Sequence, residues 1–89
     1  MEVHYRQAFL KDLKRLKRHS IYNEIFELVF TALPNINSLR DISDVKVMKG
    51  HINRYRIRRR DYRIGIEVQE NIIEIVRVLH RREFYRYFP

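Results

Sequence analysis

The chain has 89 residues and no cysteine, 45% of its residues are hydrophobic, and 19 Lys and Arg stand against 11 Asp and Glu for a formal net charge of +8. That length suits one domain, 1–89, with one core, and the apolar content excludes a disordered chain. Lack of cysteine excludes a disulfide framework and a thiolate metal site and fits a reducing cytoplasm, while the basic balance favours a polyanion such as nucleic acid over a neutral small substrate.

No apolar run approaches the roughly 18 residues that a membrane span needs, and the first residues lack the apolar core of a signal peptide, so a cytoplasmic protein without a membrane partner is expected. The charge is regional. Residues 1–20 carry six basic and two acidic groups, 21–45 one and four, and 46–89 twelve and five.

In chain order, "EVHYR" alternates and is β-prone, which predicts a first strand. "QAFLKDLKRLKRHS" sets Phe9, Leu13 and Leu16 on one helical stripe and crowds Lys11, Lys14, Arg15 and Arg18 opposite, as in a basic amphipathic helix. Ser20 is a candidate cap for a second helix in "SIYNEIFELVFTALP", which Pro34 should end. The two helices form a hairpin. A polar connection follows, with Leu39 and Ile42 as tethers.

From Val45 the period becomes two. The segments "VKVMK", "RYRIRR", "YRIGIEVQ" and "IIEIVRVLH" predict an antiparallel meander. The last has apolar residues on both faces, Ile73, Ile75 and Leu79 on one and Ile72, Val76 and Val78 on the other, as expected of a central strand. "RREFYRYFP" predicts one helical turn or an extended arm, with Phe84 and Phe88 as a latch on the sheet. The fold class is α+β, in the order β-α-α-β-β-β-β.

Six arginines fall in the ten residues from Arg54 to Arg63. Strand alternation turns Tyr55 and Ile57 one way and Arg54, Arg56 and Arg58 the other, and it sets Arg63 apart from Tyr62, Ile64, Ile66 and Val68. One side serves a core and the other presents guanidinium groups, which grip phosphates bidentately with a permanent charge. The competing reading is a solvated face that only keeps the protein soluble.

"VRVLHRREFYR" adds chemistry. His80 is a residue of the type that gives or takes a proton in catalysis, Arg81 and Arg82 follow, and Tyr85 lies one helical turn on, a hydroxyl among cations. Proton-transfer groups beside phosphate clamps suit RNA cleavage without a metal: a base for the 2′-hydroxyl, cations for the developing charge and an acid for the 5′-oxygen. A histidine at a strand end is also a common structural residue. His4, His19 and His51 have no metal-ligand spacing, so neither a metal site nor a cofactor is expected.

"YRIRRRDYRIGIEV" followed by "IIEIVRVLHRREFYR" resembles the RelE/ParE superfamily of type II toxin–antitoxin toxins, and the resemblance extends over the whole chain. It implies the RelE-like fold and an endoribonuclease that cleaves mRNA, typically in the ribosomal A site and without metal, leaving a 2′,3′-cyclic phosphate and a 5′-hydroxyl. It implies RNA-facing roles for Arg56 and Arg58, phosphate stabilisation by Arg63 and Arg81, and proton transfer by Tyr85 and His80, in an order that the resemblance leaves open. Arg54, Arg82 and the basic face of the first helix extend the RNA-binding surface. A cognate antitoxin with an acidic C-terminal segment would neutralise it, covering the arginine face.

Two positions depart from the family pattern. Arg60 stands where the turn has glycine, which predicts Asp61 as the left-handed residue there. Leu79 precedes His80 in place of a second glycine. Other readings stay open at this point: a ParE-like inhibitor of DNA gyrase, or a non-catalytic module that binds RNA or ribosomes.

Overall fold

β1 (Glu2–Tyr5) pairs in parallel with β5 (Ile72–His80), and β5, β4 (Tyr62–Gln69), β3 (Arg54–Arg59) and β2 (Val45–Val47) follow as antiparallel neighbours in the order β1-β5-β4-β3-β2. This is the computed structural model of residues 1–89. The meander forms as expected, and the added parallel pair makes β5 an interior strand.

α1 (Gln7–Arg15) is shorter than the 7–20 that periodicity suggests. At Leu16 the bonding tightens to i−3 carbonyls, with Leu16 N–H donating to Leu13 and Lys17 N–H to Lys14, and the chain turns back. Ser20 does not cap the next helix; its carbonyl instead accepts from Arg60. That helix runs from α2 (Tyr22–Glu27) through a π-helical stretch (Leu28–Ala32) into a last turn, α3 (Leu33–Asn35), which contains Pro34. Pro34 cannot donate to the helix ladder and its ring crowds the carbonyl four residues back, so the widened turn sits where the strain falls. The Tyr5 hydroxyl donates to the Val29 carbonyl within that turn at 2.7 Å.

The helical layer and the sheet enclose the main core, in which Phe9, Ile25, Val29, Leu33, Ile57, Ile64, Ile66, Ile73 and Ile75 are wholly buried. β5 breaks its alternation once. Ile66 pairs with Ile75 but Gly65 pairs with Arg77, so Val76 has no residue opposite it. Beyond this bulge the faces exchange: Val78 joins Ile73 and Ile75 in the main core, while Leu79 joins Val76 on the other side. Strict alternation had grouped Leu79 with Ile73 and Ile75, and the bulge corrects that grouping.

The bulge is pinned by Asp12 of α1, which is 3% exposed. Its carboxylate accepts from Arg77 Nε at 2.7 Å and a terminal Arg77 nitrogen at 2.9 Å, and also from the Val78 N–H at 3.2 Å. That hydrogen bond holds the Arg77 guanidinium above its usual pKa.

The opposite face of the sheet is covered too. "RREFYRY" forms α4 (Arg81–Tyr87), whose Phe84, with Phe88 and Met48, makes a second small core over Val76 and Leu79. The latch assigned to Phe84 and Phe88 is present. Gly65 makes room for it, since a Cβ there would lie 2.7 Å from the Phe88 ring.

Candidate nucleic-acid interface

The β3–β4 hairpin sorts its side chains as alternation demands. Arg56 pairs across the strands with Gly65 and Arg58 with Arg63, on the side away from Ile57 and Ile64. Two like charges directly opposite each other destabilise a strand pair, so this face is not optimised for the isolated sheet.

Near the hairpin tip, an open depression of about 610 Å³ is lined by no hydrophobic residue. Arg58, Arg59, Arg60, Arg63 and Arg81 converge on it, with Glu24, Asp44 and Asp61 at its walls. Three of these cations have carboxylate partners: Arg58 with Asp44 at 3.3 Å, Arg60 with Glu24 at 3.2 Å and Arg81 with Asp61 at 3.6 Å. Arg59 and Arg63 have none. The Arg63 guanidinium donates to the carbonyls of Arg60 and Tyr62 at 3.0 and 3.1 Å, which orients it and leaves its charge uncompensated.

Backbone geometry sets these positions. Arg60, not Asp61, takes the left-handed conformation, with φ +50. A non-glycine residue there is held by its surroundings, and the Arg60 side chain anchors the tip to α2 through Glu24 and the Ser20 carbonyl. The Arg81 N–H donates to the Asp61 carbonyl at 2.7 Å, tying the start of α4 to the same turn.

Further along the face, Tyr85 is 60% exposed and lines a second depression, of about 280 Å³, with Lys46, Lys49, Arg56, Val47 and Met48. Arg56 and Arg58 share a strand face, so the two depressions form one basic strip from Tyr85 to Arg81. Arg54 also lies on this face but is paired with Glu67 at 3.2 Å.

His80 lies elsewhere. It pairs with Tyr62 on the helix side of the sheet, its ring edge-on to the Tyr62 ring at 5.4 Å, in a depression shared with Asp12, Arg15 and His19. Its Nδ1 accepts from the Arg82 N–H at 3.2 Å, which caps α4. Of the four residues expected to form a reaction centre, the fold brings Arg63 and Arg81 together, sets Tyr85 on the same side, and separates His80 by the thickness of the sheet.

The basic residues of α1 and the turn after it, Lys11, Lys14, Arg15 and Arg18, are exposed and line neither the depression of Arg63 nor that of Tyr85. Lys11, Lys14 and Arg18 have no carboxylate within 4 Å, whereas Arg15 reaches Asp12 at 3.8 Å. Arg82 is exposed at the start of α4. Pattern reading missed Lys46 and Lys49, which share a depression with Tyr85 because Met48, just past β2, packs with Phe84 of α4, and missed the Asp12–Arg77 pair. Asp12 did leave a signal, a carboxylate on the Phe9, Leu13, Leu16 stripe.

The far end of the sheet carries the opposite charge. Glu67, Glu70 and Glu74 line a depression there, and Arg6 bonds Glu74, which holds the Arg6 guanidinium above its usual pKa. No helix is long and apolar enough to cross a membrane.

This architecture is matched among known proteins. A family model described as the ParE toxin of the type II toxin–antitoxin system parDE matches residues 3–85. Toxin RelE3 of Methanocaldococcus jannaschii is 44% identical over 90 residues, covering 100% of both chains. A chain in the crystal structure of the RelB-RelE antitoxin–toxin complex from Methanococcus jannaschii superposes with a TM-score of 0.80 at 44% identity, over 97% of this chain and 99% of that one. The E. coli DinJ-YafQ complex shares the fold at 16% identity and a TM-score of 0.75, covering 94% of this chain and 97% of that one. With its RelE-like α+β fold, the chain belongs to the RelE/ParE superfamily of type II toxin–antitoxin toxins.

Proposed function

We propose that this toxin is an endoribonuclease that cleaves mRNA, acting in the cytoplasm in the ribosomal A site and so arresting translation. The observation that carries the reading is the uncompensated Arg63 guanidinium in a depression lined by no hydrophobic residue, shared with Arg58 and Arg81. In water-exposed clefts a cation without a carboxylate partner is free to meet phosphate, and the fold orients this one through two main-chain carbonyls.

The reaction needs little else from the protein. The RNA's own 2′-hydroxyl loses its proton and attacks the adjacent phosphorus, the bond to the 5′-oxygen breaks, and that oxygen takes up a proton. A 2′,3′-cyclic phosphate and a 5′-hydroxyl result. Arg63 and Arg81 stabilise the charge on the non-bridging oxygens, and Arg56 and Arg58 hold the neighbouring phosphates. Tyr85, exposed on the same side, is the proton-transfer group with direct access to RNA. His80 serves the reaction through α4, whose first turn it caps.

The partner that neutralises such a surface is an antitoxin with an acidic segment, in keeping with the antitoxin present in the RelB-RelE structure. The match to a ParE toxin model keeps one other activity in view, inhibition of DNA gyrase.

Adding the toxin to mRNA-programmed ribosomes and mapping RNA ends by primer extension tests the proposal. Discrete cuts in the A-site codon that fade in Arg63→Ala and Tyr85→Phe support it. Absence of cuts, with gyrase supercoiling inhibited by the same preparation, replaces it with the second activity.

A further inference from the structure

We infer that Arg77 is a positioning residue: clamped by Asp12 of α1 and placed over the Tyr87 ring of α4, it fixes the C-terminal helix on the sheet. The inference rests on the assignment of Arg81 and Tyr85, both on α4, to the reaction.

β1 covers the edge of β5 only from Ile72 to Ile75. Beyond that, Arg77 follows the bulge at Val76, and its guanidinium meets a side chain of α1 and one of α4. There the guanidinium makes its bidentate bond to buried Asp12, and its central carbon lies 5.2 Å from the centroid of the Tyr87 ring. A planar guanidinium can do both at once, offering its edge to a carboxylate and its face to a ring, and lysine cannot.

α4 needs such an anchor. Seven residues are too few to form a stable helix unaided, so its orientation comes from tertiary contacts. Phe84 and Phe88 fix its buried side, and the Arg81 N–H fixes its start. Tyr87, 51% exposed, is the contact that fixes its rotation about the buried side. Tyr85 projects from the same helix two residues earlier, so a small rotation of α4 moves its hydroxyl relative to Arg56 and Arg63.

Removing Arg77 would strand the Asp12 carboxylate in the core, so the ring is the safer handle for a test. Tyr87→Leu removes the ring, and Tyr87→Phe keeps it. Amide exchange in the free protein should run about two- to fivefold faster over residues 84–88 in Tyr87→Leu, with β5 unchanged and Tyr87→Phe like the parent. In cleavage assays, Tyr87→Leu should lower kcat by a similar factor with KM unchanged, since the phosphate-holding arginines of β3 and β4 stay in place, and Tyr87→Phe should restore it. Parent-like exchange in Tyr87→Leu overturns the inference, and so does faster exchange with unaltered kcat in a parent that cleaves. If the parent cuts no RNA, the nuclease reading fails by itself, and the exchange data alone decide whether the ring anchors the helix.

Discussion

Arg63 and Arg81 line the same depression, yet Asp61 lies 3.6 Å from Arg81 while Arg63 touches only main-chain carbonyls. Arg63, like Arg59, is therefore a cation that a phosphate can engage without displacing a carboxylate, and it is the one of the two placed opposite Arg58 on the hairpin face. Arg63→Ala should lower kcat for RNA cleavage by about 10²- to 10³-fold, the usual effect of losing one oriented charge stabiliser, with an unchanged melting curve. Single-turnover kinetics beside thermal unfolding checks both halves, and an unfolded variant would void the comparison.

Binding should also report the strip of arginines. Each phosphate neutralised on a single strand contributes about 0.7 to the slope of log affinity against log salt, so Arg58→Ala should flatten that slope by roughly that amount. Fluorescence anisotropy with a 2′-O-methyl RNA, which cannot be cut, measures this directly. An unchanged slope would remove Arg58 from the RNA surface.

Two carboxylates with arginine partners should differ sharply in their worth. Asp12 is buried and accepts three hydrogen bonds, and Asp12→Ala should cost about 2 to 3 kcal/mol, lowering the melting temperature by about 10 to 20 °C. Asp44 and Arg58 are each half exposed, and Asp44→Asn, which keeps a residue suited to the left-handed backbone at φ +60, should change stability by about 0.5 kcal/mol or less. Thermal melts of the two variants, side by side, make the comparison.

The close approach of Gly65 to Phe88 gives a coupled prediction. Gly65→Ala forces a Cβ against the ring, which should cost roughly 1 to 3 kcal/mol. In a Phe88→Ala background the same change should be nearly neutral, because its obstacle is gone. A double-mutant cycle by chemical denaturation reads this coupling, and additive effects would refute it.

Alkaline pH should weaken the packing of β1 on the π-helical turn. Burial raises the Tyr5 phenol above its usual value near 10, so the folded state holds that proton more tightly than the unfolded chain does. Its contribution to stability is complete below pH of about 10 and declines as pH rises toward the folded value, where the hydroxyl can no longer donate to Val29. Tyr5→Phe should lose this part of the alkaline decline, measured as denaturation midpoint against pH.

Element types were legible wherever one rule governed the chain. Period-two alternation identified β3 and β4 and the arginine side of their hairpin, and the phenylalanine spacing after His80 identified the latch. Failures fall where two constraints compete. Alternation placed Leu79 with Ile73 and Ile75, but a bulge at Val76, followed by Val78 N–H donating to Asp12, 66 residues away, reverses the strand's faces. Turn propensity favoured Asp61 for the left-handed position, whereas Arg60 occupies it under the hold of Glu24. Proximity of His80 to Arg81 in sequence suggested one reaction centre, but adjacent residues at a strand end face opposite ways.

The parallel pairing of β1 with β5 also bears on how the molecule comes to exist. Glu2 sits beside Ile72, made 70 residues later, so the first strand waits for its neighbour through nearly all of synthesis. Until β5 and α4 emerge, the basic hairpin lacks Arg81 and Tyr85, and Asp12 lacks Arg77. A nascent chain thus carries the arginines of β3 and β4 before the groups that complete the proposed site, and the order of the strands makes that site the last part of the molecule to form.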